Sequence, residues 1–259
     1  MLCFSWLDRY LLISTFLRII LTDQQCGKLT RKAKFIEEGE KVKYSWPWMG
    51  SLGFKNGEDW VHKCGASLVS QYEVITAAHC ALDHEVLQKI AEGQLLVRLG
   101  NNNLSSNDTE NIQEMSVQTM AVHPNYMSGF YHDLSILTSS SPVRITDTVN
   151  PVCLPLKPLS RELLDGKGLV VTGWGAAGEE ERELNQLIVK VLSNEICNLE
   201  HQNAPKETKR QYFPKNFTNN IFCTGDFTGI SIGSTCNGDS GGPAIFHYEK
   251  VTYVSFICY

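Results

Sequence analysis

The chain has 259 residues, of which 42% are hydrophobic and 20% are charged, and its formal net charge is −5. This composition is that of a globular protein with a sizeable core, and the length fits one large all-β domain or two small ones. The sequence has no Lys/Arg-rich run of useful length. The charge pattern therefore argues against nucleic acid or an anionic membrane surface as a partner.

The N-terminal segment resembles a secretory leader. Residues 10–21 (YLLISTFLRIIL) have the length of a signal-peptide core and are too short to span a bilayer. Arg18 interrupts this run, and Asp8 stands where a basic flank is expected. We predict a signal peptide over residues 1–25, ending near Thr22 or Gln25, with a mis-assigned start of translation as the alternative.

The cysteines also indicate an extracellular protein. The chain has nine, without the close CxxC pairs of zinc sites, so we expect disulfides and an oxidising compartment rather than a metal. Removal of the leader takes away Cys3 and leaves an even number. Three N-x-Ser/Thr sequons, at Asn103, Asn107 and Asn216, are candidate glycosylation sites and agree with secretion, although each triplet is a weak signal alone.

From residue 44 onward, short apolar or alternating runs are separated by Gly, Asn, Pro and Ser. Many short strands with regular turn signals predict a β-sandwich or β-barrel rather than a βαβ fold. Helices are expected only at 81–91, 160–164 and 193–200, the last with Ser193 as its cap. Strands are expected at 49–54, 66–69, 73–77, 95–99, 116–122, 134–137, 169–172, 187–192 and 244–247.

Three separated segments carry residues suited to catalysis. They are TAAHC with His79, HDLSIL with Asp133, and CNGDSGGP with Ser240. Taken singly, a histidine is more often structural, and an aspartate before a strand is commonly a turn former. The third segment is more specific, because glycines free the backbone to present the serine hydroxyl at a sharp turn and let backbone amides approach a substrate oxyanion. The alternative is that this glycine-rich segment is a flexible loop without a catalytic role.

The order of His79, Asp133 and Ser240, with these flanking residues, resembles that of chymotrypsin-type serine proteases. The resemblance covers roughly residues 35–257 and includes WPW at 46–48, CGASL at 64–68, NPVCLP at 150–155 and VTGWG at 171–175. It implies an all-β fold of two packed antiparallel six-stranded β-barrels, forming one protease domain over residues 35–259.

The resemblance also implies the roles of the site residues. Ser240 is the nucleophile, His79 the general base and Asp133 the residue that orients the imidazole. The backbone N–H groups of Gly238 and Ser240 form the oxyanion hole. Neither a cofactor nor a metal is implied, and the 100–103 loop has asparagines where calcium-binding relatives use glutamate.

Three further residues are expected to shape the primary specificity pocket. Ser234, six residues before the nucleophile, implies a neutral pocket that prefers aromatic or large apolar side chains. Ser255 would support Asp133 from the strand that lines the pocket, and Phe256 follows it in that strand.

The family pattern assigns the cysteines as well. It implies the disulfides Cys64–Cys80 and Cys197–Cys223, and it gives Cys153 the role of a propeptide tether with Cys26 as its partner. Cys236 and Cys258 remain as a further pair.

Two features depart from the family pattern. Residues 26–34 are expected to be a propeptide, and cleavage after Lys34 would expose Phe35, whose amine pairs with Asp239; a one-residue deletion would instead make Ile36 the new N-terminus. The glycines that usually follow this position are absent. The chain also ends at Tyr259, before the family's last strand and C-terminal helix, so we expect a second barrel that is incomplete at its C-terminus. An incomplete gene model or splice form is favoured over a minimal protease.

These observations predict a secreted serine endopeptidase made as a zymogen. Its expected partners are protein or peptide substrates, an activating protease and protein inhibitors. The alternative is a non-catalytic protease homologue that serves as a secreted binding or regulatory module. A disulfide-rich extracellular β domain without chemistry would not explain the three catalytic segments.

Overall fold

A computed structural model of the chain describes residues 2–4, 26–28, 46–105, 111–127, 129, 131–155, 161–175, 183–203, 205–207, 216–218, 221–226, 239–248 and 251–257. These residues form two antiparallel β units and a few short helices. The strands are β1 (Leu2–Phe4), β2 (Met49–Asn56), β3 (Asp59–Leu68), β4 (Glu73–Thr76), β5 (Leu96–Leu99), β6 (Gln113–Val122), β7 (Ser135–Ser139), β8 (Gly168–Gly173), β9 (Asn185–Val191), β10 (Ile221–Asp226), β11 (Pro243–Tyr248) and β12 (Val251–Ile257). The helices are α1 (Ala78–Ala81), α2 (His84–Ala91), α3 (Arg161–Leu164) and α4 (Asn194–Gln202).

The first unit is a closed barrel with the strand order β2-β3-β4-β7-β6-β5. Strands β2 and β4 are buried along most or all of their length, whereas β6 shows the alternation of inward and outward residues that is typical of a barrel strand. In β6, Met115 and Val117 are buried while the residues beside them face outward. The barrel interior is filled by branched and long apolar side chains, among them Leu52, Leu68, Ile75, Leu99 and Leu137.

The second unit is a six-stranded antiparallel sheet with the order β1-β10-β9-β8-β11-β12. Its own core contains Leu164, Leu169, Val171, Val189, Val191, Phe222, Ala244 and Phe246. The prediction of an all-β fold is therefore confirmed. Most of the expected strands occur within a few residues of their predicted bounds.

The first strand lies within the predicted leader. Leu2, Cys3 and Phe4 pair with Cys223, Phe222 and Ile221 of β10. A three-residue strand in this segment was not expected from the sequence, and the removal of residues 1–25 stays a prediction.

The single helix expected at 81–91 is instead two helices. α1 ends at Ala81, and α2 begins after Asp83, whose side chain accepts hydrogen bonds from the backbone N–H groups of Glu85 and Val86. An aspartate at an N-cap satisfies amides that have no partner within the helix, so Asp83 starts a new helix and the predicted one was wrong at its first turn. At α4 the cap is the expected one, because Ile196 N–H donates to Ser193 Oγ at 3.4 Å.

Within the described part of the chain, no helix combines the length and apolar character needed to cross a bilayer.

Candidate active site

His79 is placed by the end of a barrel strand and by a covalent link beside it. It is the second residue of α1, the turn that directly follows β4, and it is only partly buried. The next residue, Cys80, is 1% exposed and forms a disulfide with Cys64 of β3. The imidazole therefore stands on a fixed piece of backbone at the surface of the first barrel.

Asp133 holds this imidazole with both carboxylate oxygens. Its side chain is fully buried, its Oδ1 accepts the backbone N–H of His79 at 2.8 Å, and its Oδ2 lies 2.6 Å from His79 Nδ1. A buried carboxylate requires such donors, because an unpaired charge would be costly there. The contact with Asp133 Oδ2 favours the tautomer of neutral His79 that has its proton on Nδ1. In this tautomer Nε2 is the atom that can accept a proton.

Ser240 lies in a tight turn that docks against the same barrel. Its carbonyl oxygen accepts the N–H of Gly65 at 2.7 Å, and Gly242 N–H donates to the carbonyl of Asp239 at 3.0 Å. Gly241 has φ +81°, and a Cβ atom there would overlap Thr76 Oγ1 and the carbonyl of Gly65. The turn that carries the serine thus rests on the end of β4, three residues before His79.

Asp239 points away from Ser240 toward the VTGWG segment. Its Oδ1 accepts the backbone N–H of Gly175 at 2.8 Å. A side chain at Gly173 would overlap this carboxylate, whereas Gly175 has φ +72°, a conformation that favours glycine. The expected partner of Asp239, the amine of Phe35, lies outside the described residues, as does Lys34.

Several other predicted site residues also fall outside the described part of the chain. They are Ser234, Gly238, Cys236, Cys258 and Asn107. Ser255 and Phe256 lie in β12, where the backbone of Phe256 pairs with Ala244 and Ser255 is the extra residue of a β-bulge. Bulges are frequent beside active sites, since they change the direction of the chain.

Among the described residues, three disulfides join Cys26 to Cys153, Cys64 to Cys80 and Cys197 to Cys223. Cys64–Cys80 and Cys197–Cys223 are the two pairings that the family pattern implied, and Cys26–Cys153 is the expected tether; the remaining pair, Cys236 and Cys258, lies outside the described residues. Beside the Cys26–Cys153 disulfide, Gly27 N–H donates to the carbonyl of Pro151 at 2.8 Å, so residues 26–28 are held against the segment around Cys153.

One group of metal-ligating residue types occurs among the described residues. Ligand atoms of Cys64, His79 and Cys80 lie within 4.8 Å of one another. Both sulfur atoms belong to the disulfide, and a metal requires thiolates. His79 Nε2, which lies 3.4 Å from Cys80 Sγ, is then the one remaining ligand atom of the group, and the cluster does not form a metal site.

The two described sequons differ in exposure. Asn216 is exposed and has φ +57°. Asn103 is half-buried, its Oδ1 accepts the N–H of Ser105 at 2.8 Å, and its backbone bridges to Glu183. Asn216 is thus the more accessible acceptor of the two.

Sequence reasoning missed a polar cluster around the buried residue His62. His62 is 6% exposed, its Nδ1 lies 2.7 Å from Ser51 Oγ, and that oxygen also accepts Trp60 Nε1–H at 2.8 Å. The edge of its ring contacts Trp174, with centroids 5.5 Å apart. Nothing in the local sequence marks His62, since the cluster joins residues from β2, β3 and the end of β8.

Sequence reasoning also missed the residues around Asp133. His123 and His132 stack on one another with ring centroids 4.8 Å apart, and Tyr131 donates its hydroxyl to the carbonyl of Asn216 at 2.7 Å. The available signal was the pair of aromatic-type residues directly before the aspartate, in YHDLSIL.

Comparison with known proteins agrees with this geometry. The family described as Trypsin matches residues 35–258, and the chain belongs to this family. Its relatives are serine proteases.

Three relatives illustrate the range. The chain is 29% identical to Clotting factor G beta subunit of Tachypleus tridentatus, over 92% of this chain and 74% of that protein. It is 32% identical to Proclotting enzyme of the same organism, over 77% of this chain and 51% of that protein. It is 28% identical to Chymotrypsin-C of Bos taurus, over 89% of this chain and 81% of that protein. The chain thus spans about half the length of Proclotting enzyme, which is larger than the matched region.

Proposed function

We propose that the chain is a secreted serine endopeptidase, made as a zymogen, that hydrolyses peptide bonds through Ser240, His79 and Asp133. The observation that carries this proposal is the contact of both Asp133 oxygens with His79, at 2.8 and 2.6 Å. A carboxylate that binds both the backbone and the ring of one histidine sets its position and its tautomer together. Membership of the Trypsin family supports the same reading.

The chemistry follows from these positions. Ser240 Oγ forms a bond to the scissile carbonyl carbon while His79 Nε2 takes the hydroxyl proton. The imidazolium that forms keeps its Nδ1–H on Asp133 Oδ2, which stabilises the charge. The carbonyl electrons move to the oxygen, where the N–H groups of Gly238 and Ser240 donate to the oxyanion.

The tetrahedral intermediate then collapses. The carbon–nitrogen bond breaks, and His79 gives its proton to the leaving amine, so an acyl group remains on Ser240. Water repeats the sequence with His79 as general base, which releases the carboxylic acid and restores the serine hydroxyl.

Activation is proposed to occur by cleavage after Lys34. The new amine of Phe35 would bind Asp239 and set the turn that holds Gly238 and Ser240. Because Cys26 is bonded to Cys153, the released segment 26–34 would stay attached to the protease domain. Nonreducing and reducing mass spectra of the cleaved protein would therefore differ by the mass of this peptide.

The substrate preference is proposed from Ser234, which implies a neutral pocket beside the strand that contains Ser255 and Phe256. Aromatic or large apolar residues on the acyl side of the scissile bond are the expected targets. Protein substrates, an activating protease and protein inhibitors are the expected partners.

Secretion and N-glycosylation complete the proposal. The disulfides support an oxidising compartment. Asn216 is exposed, which supports it as a glycan acceptor ahead of Asn103, and Asn107 is a third expected acceptor.

A turnover assay tests the proposal. The purified protein is treated with immobilised trypsin, the resin is removed, and a mixed set of peptides is incubated with the product. We expect cleavage after aromatic or large apolar residues by the wild type, and none by Ser240→Ala or by the uncleavable Lys34→Gln. A folded protein cut after Lys34 that hydrolyses no peptide would contradict the proposal and favour a non-catalytic homologue.

A further inference from the structure

His123 contacts both residues that flank Asp133. Its backbone N–H donates to the carbonyl of Leu134 at 2.9 Å, and its ring stacks on His132 with centroids 4.8 Å apart and planes inclined by 12°. Between these two contacts, Leu134 N–H donates to the carbonyl of His132 at 2.8 Å. Asp133 is therefore the central residue of a three-residue turn that is held from outside by one histidine.

The backbone of this turn is strained at His132. Its φ is +56°, in the left-handed region where a Cβ atom meets the following carbonyl oxygen. Such a conformation persists only where neighbouring contacts compensate for its cost. The stack on His123 is a contact that can compensate for this cost.

The ring of His123 is held in place by burial and by hydrogen bonds. It is 5% exposed, and its Nδ1 accepts the backbone N–H of Asn125 at 3.1 Å. Its carbonyl accepts the N–H of Tyr126 at 2.9 Å, which closes the turn after β6. The stabilisation from a stacked ring pair is of the same order as the cost of one left-handed residue.

We propose that His132, stacked on His123, is a positioning residue that fixes the backbone of Asp133 so that both carboxylate oxygens reach His79. The inference rests on the proposed function for its consequence in catalysis, but the positioning is a property of the folded chain. If the stack is lost while a Cβ atom remains at position 132, the left-handed conformation is no longer compensated, and the backbone before Asp133 can relax to a negative φ. The carboxylate then turns, and its two contacts with His79 lengthen together.

A matched pair of variants separates stacking from strain. His132→Ala removes the ring and keeps the penalty for a left-handed residue, whereas His132→Gly removes the ring and the penalty, because glycine adopts this conformation freely. We expect His132→Ala to lower kcat about tenfold with KM nearly unchanged, and His132→Gly to stay within about threefold of the wild type. Kinetics are measured on protein activated with immobilised trypsin.

A spectroscopic readout tests the same contact without turnover. The Nδ1 proton of His79, which lies between the imidazole and Asp133, is followed by NMR in histidine-labelled protein. We expect its resonance in His132→Gly to match the wild type, and in His132→Ala to shift and broaden. His132→Asn should restore the wild-type signal in large part, because asparagine tolerates the left-handed region.

A second position closes the cycle. His123→Ala should perturb the His79 resonance in the wild-type background and add little in the His132→Gly background, because the His132 ring and the backbone strain are both absent there. If His132→Ala does not fold, as judged by circular dichroism, the test is the effect of His123→Ala in the wild-type background compared with its effect in the His132→Gly background.

The two possible failures are distinguishable. A wild-type protein that shows no turnover, but whose His79 resonance responds to the variants as described, would contradict the proposed function and leave the positioning role in place. A resonance and kcat that are the same in His132→Ala, His132→Gly and the wild type would overturn the positioning role.

Discussion

The backbone N–H of Gly65 donates a 2.7 Å hydrogen bond to the carbonyl of Ser240, and this contact joins the first barrel to the turn with the proposed nucleophile. Gly65 follows Cys64, whose disulfide partner Cys80 adjoins His79. The nucleophile and the base are therefore anchored to neighbouring positions of β3. Their relative placement depends on close packing of backbone against backbone, because a Cβ atom at Gly65 would come within 2.8 Å of Gly242.

This packing predicts a large effect of Gly241→Ala. The residue has φ +81°, and a Cβ atom there would overlap Thr76 Oγ1 and the carbonyl of Gly65. Gly57→Ala is the matched control, because Gly57 has φ +62° with no atom within 4 Å of the added Cβ. In urea unfolding, we expect the control to lose about 1 kcal/mol from backbone strain alone and Gly241→Ala to lose about 3 kcal/mol. Equal losses would show that the turn does not pack closely on β4.

The contact between Asp133 and His79 predicts a specific catalytic defect in Asp133→Asn. The amide NH₂ in place of Oδ2 would donate to Nδ1, so the ring proton would move to Nε2 and the base could not accept the serine proton. The expected loss of kcat is roughly ten-thousand-fold, the size known for this change in a protease of the family. Exposed Asp147 supplies the control, Asp147→Asn, which should retain full activity. A small loss in Asp133→Asn would mean that another group orients His79.

The hydroxyl of Tyr131 links the loop before Asp133 to the second unit, through a 2.7 Å hydrogen bond to the carbonyl of Asn216. Tyr131→Phe should lower the free energy of unfolding by about 1 kcal/mol, the typical contribution of one such bond. Tyr72, which is 43% exposed, offers Tyr72→Phe as a control with little change. Indistinguishable unfolding curves for the two variants would show that the bond adds no stability.

Glu114 predicts a pH dependence of stability in the first barrel. Partial burial raises the pKa of Glu114, but hydrogen bonds from Lys55 and Arg98 outweigh this effect and hold it below its ordinary value of 4.5. The corresponding ion pairs measure 2.7 and 2.9 Å. Because the pKa is lower in the folded state, Glu114 contributes stability above its unfolded pKa, and this contribution is lost as the pH falls through the lowered folded value.

The measurement is the stability difference between the wild type and Glu114→Gln as a function of pH. We expect a stability difference of about 0.5–1 kcal/mol at pH 7. High salt should reduce this difference, since the group is partly exposed. The difference should vanish in acid. Glu58→Gln, at an exposed position, should show no such trend. A difference that persists at the lowest pH would contradict the assigned ion pairs.

The sequence was sufficient for the fold class and for the proposed catalytic residues. Alternating runs such as β6 define strands locally, and the segments around His79, Asp133 and Ser240 are local signals. The split of the helix at Asp83 could also have been predicted, because aspartate is a favoured N-cap residue. The apolar residues on either side of Asp83 favoured one continuous helix instead.

The contacts that place the site could not be predicted in the same way. Gly65 meets Ser240 across 175 positions of chain (240 minus 65), and His123 meets His132 because the end of β6 pairs with the start of β7, with Val122 opposite Ser135. His62, in β3, contacts Ser51 of β2 and Trp174, which follows β8. Such contacts depend on tertiary packing, which overrides what any short segment prefers.

The most direct test of the proposed function is the covalent modification of Ser240 by a fluorophosphonate. Protein cleaved after Lys34, freed from the activating resin, is treated with the probe and analysed by peptide mass mapping. We expect one adduct, on the peptide that contains Ser240, with none in Ser240→Ala and with much slower labelling of the uncleaved protein. A folded, cleaved wild type that takes up no probe at Ser240 would contradict the account.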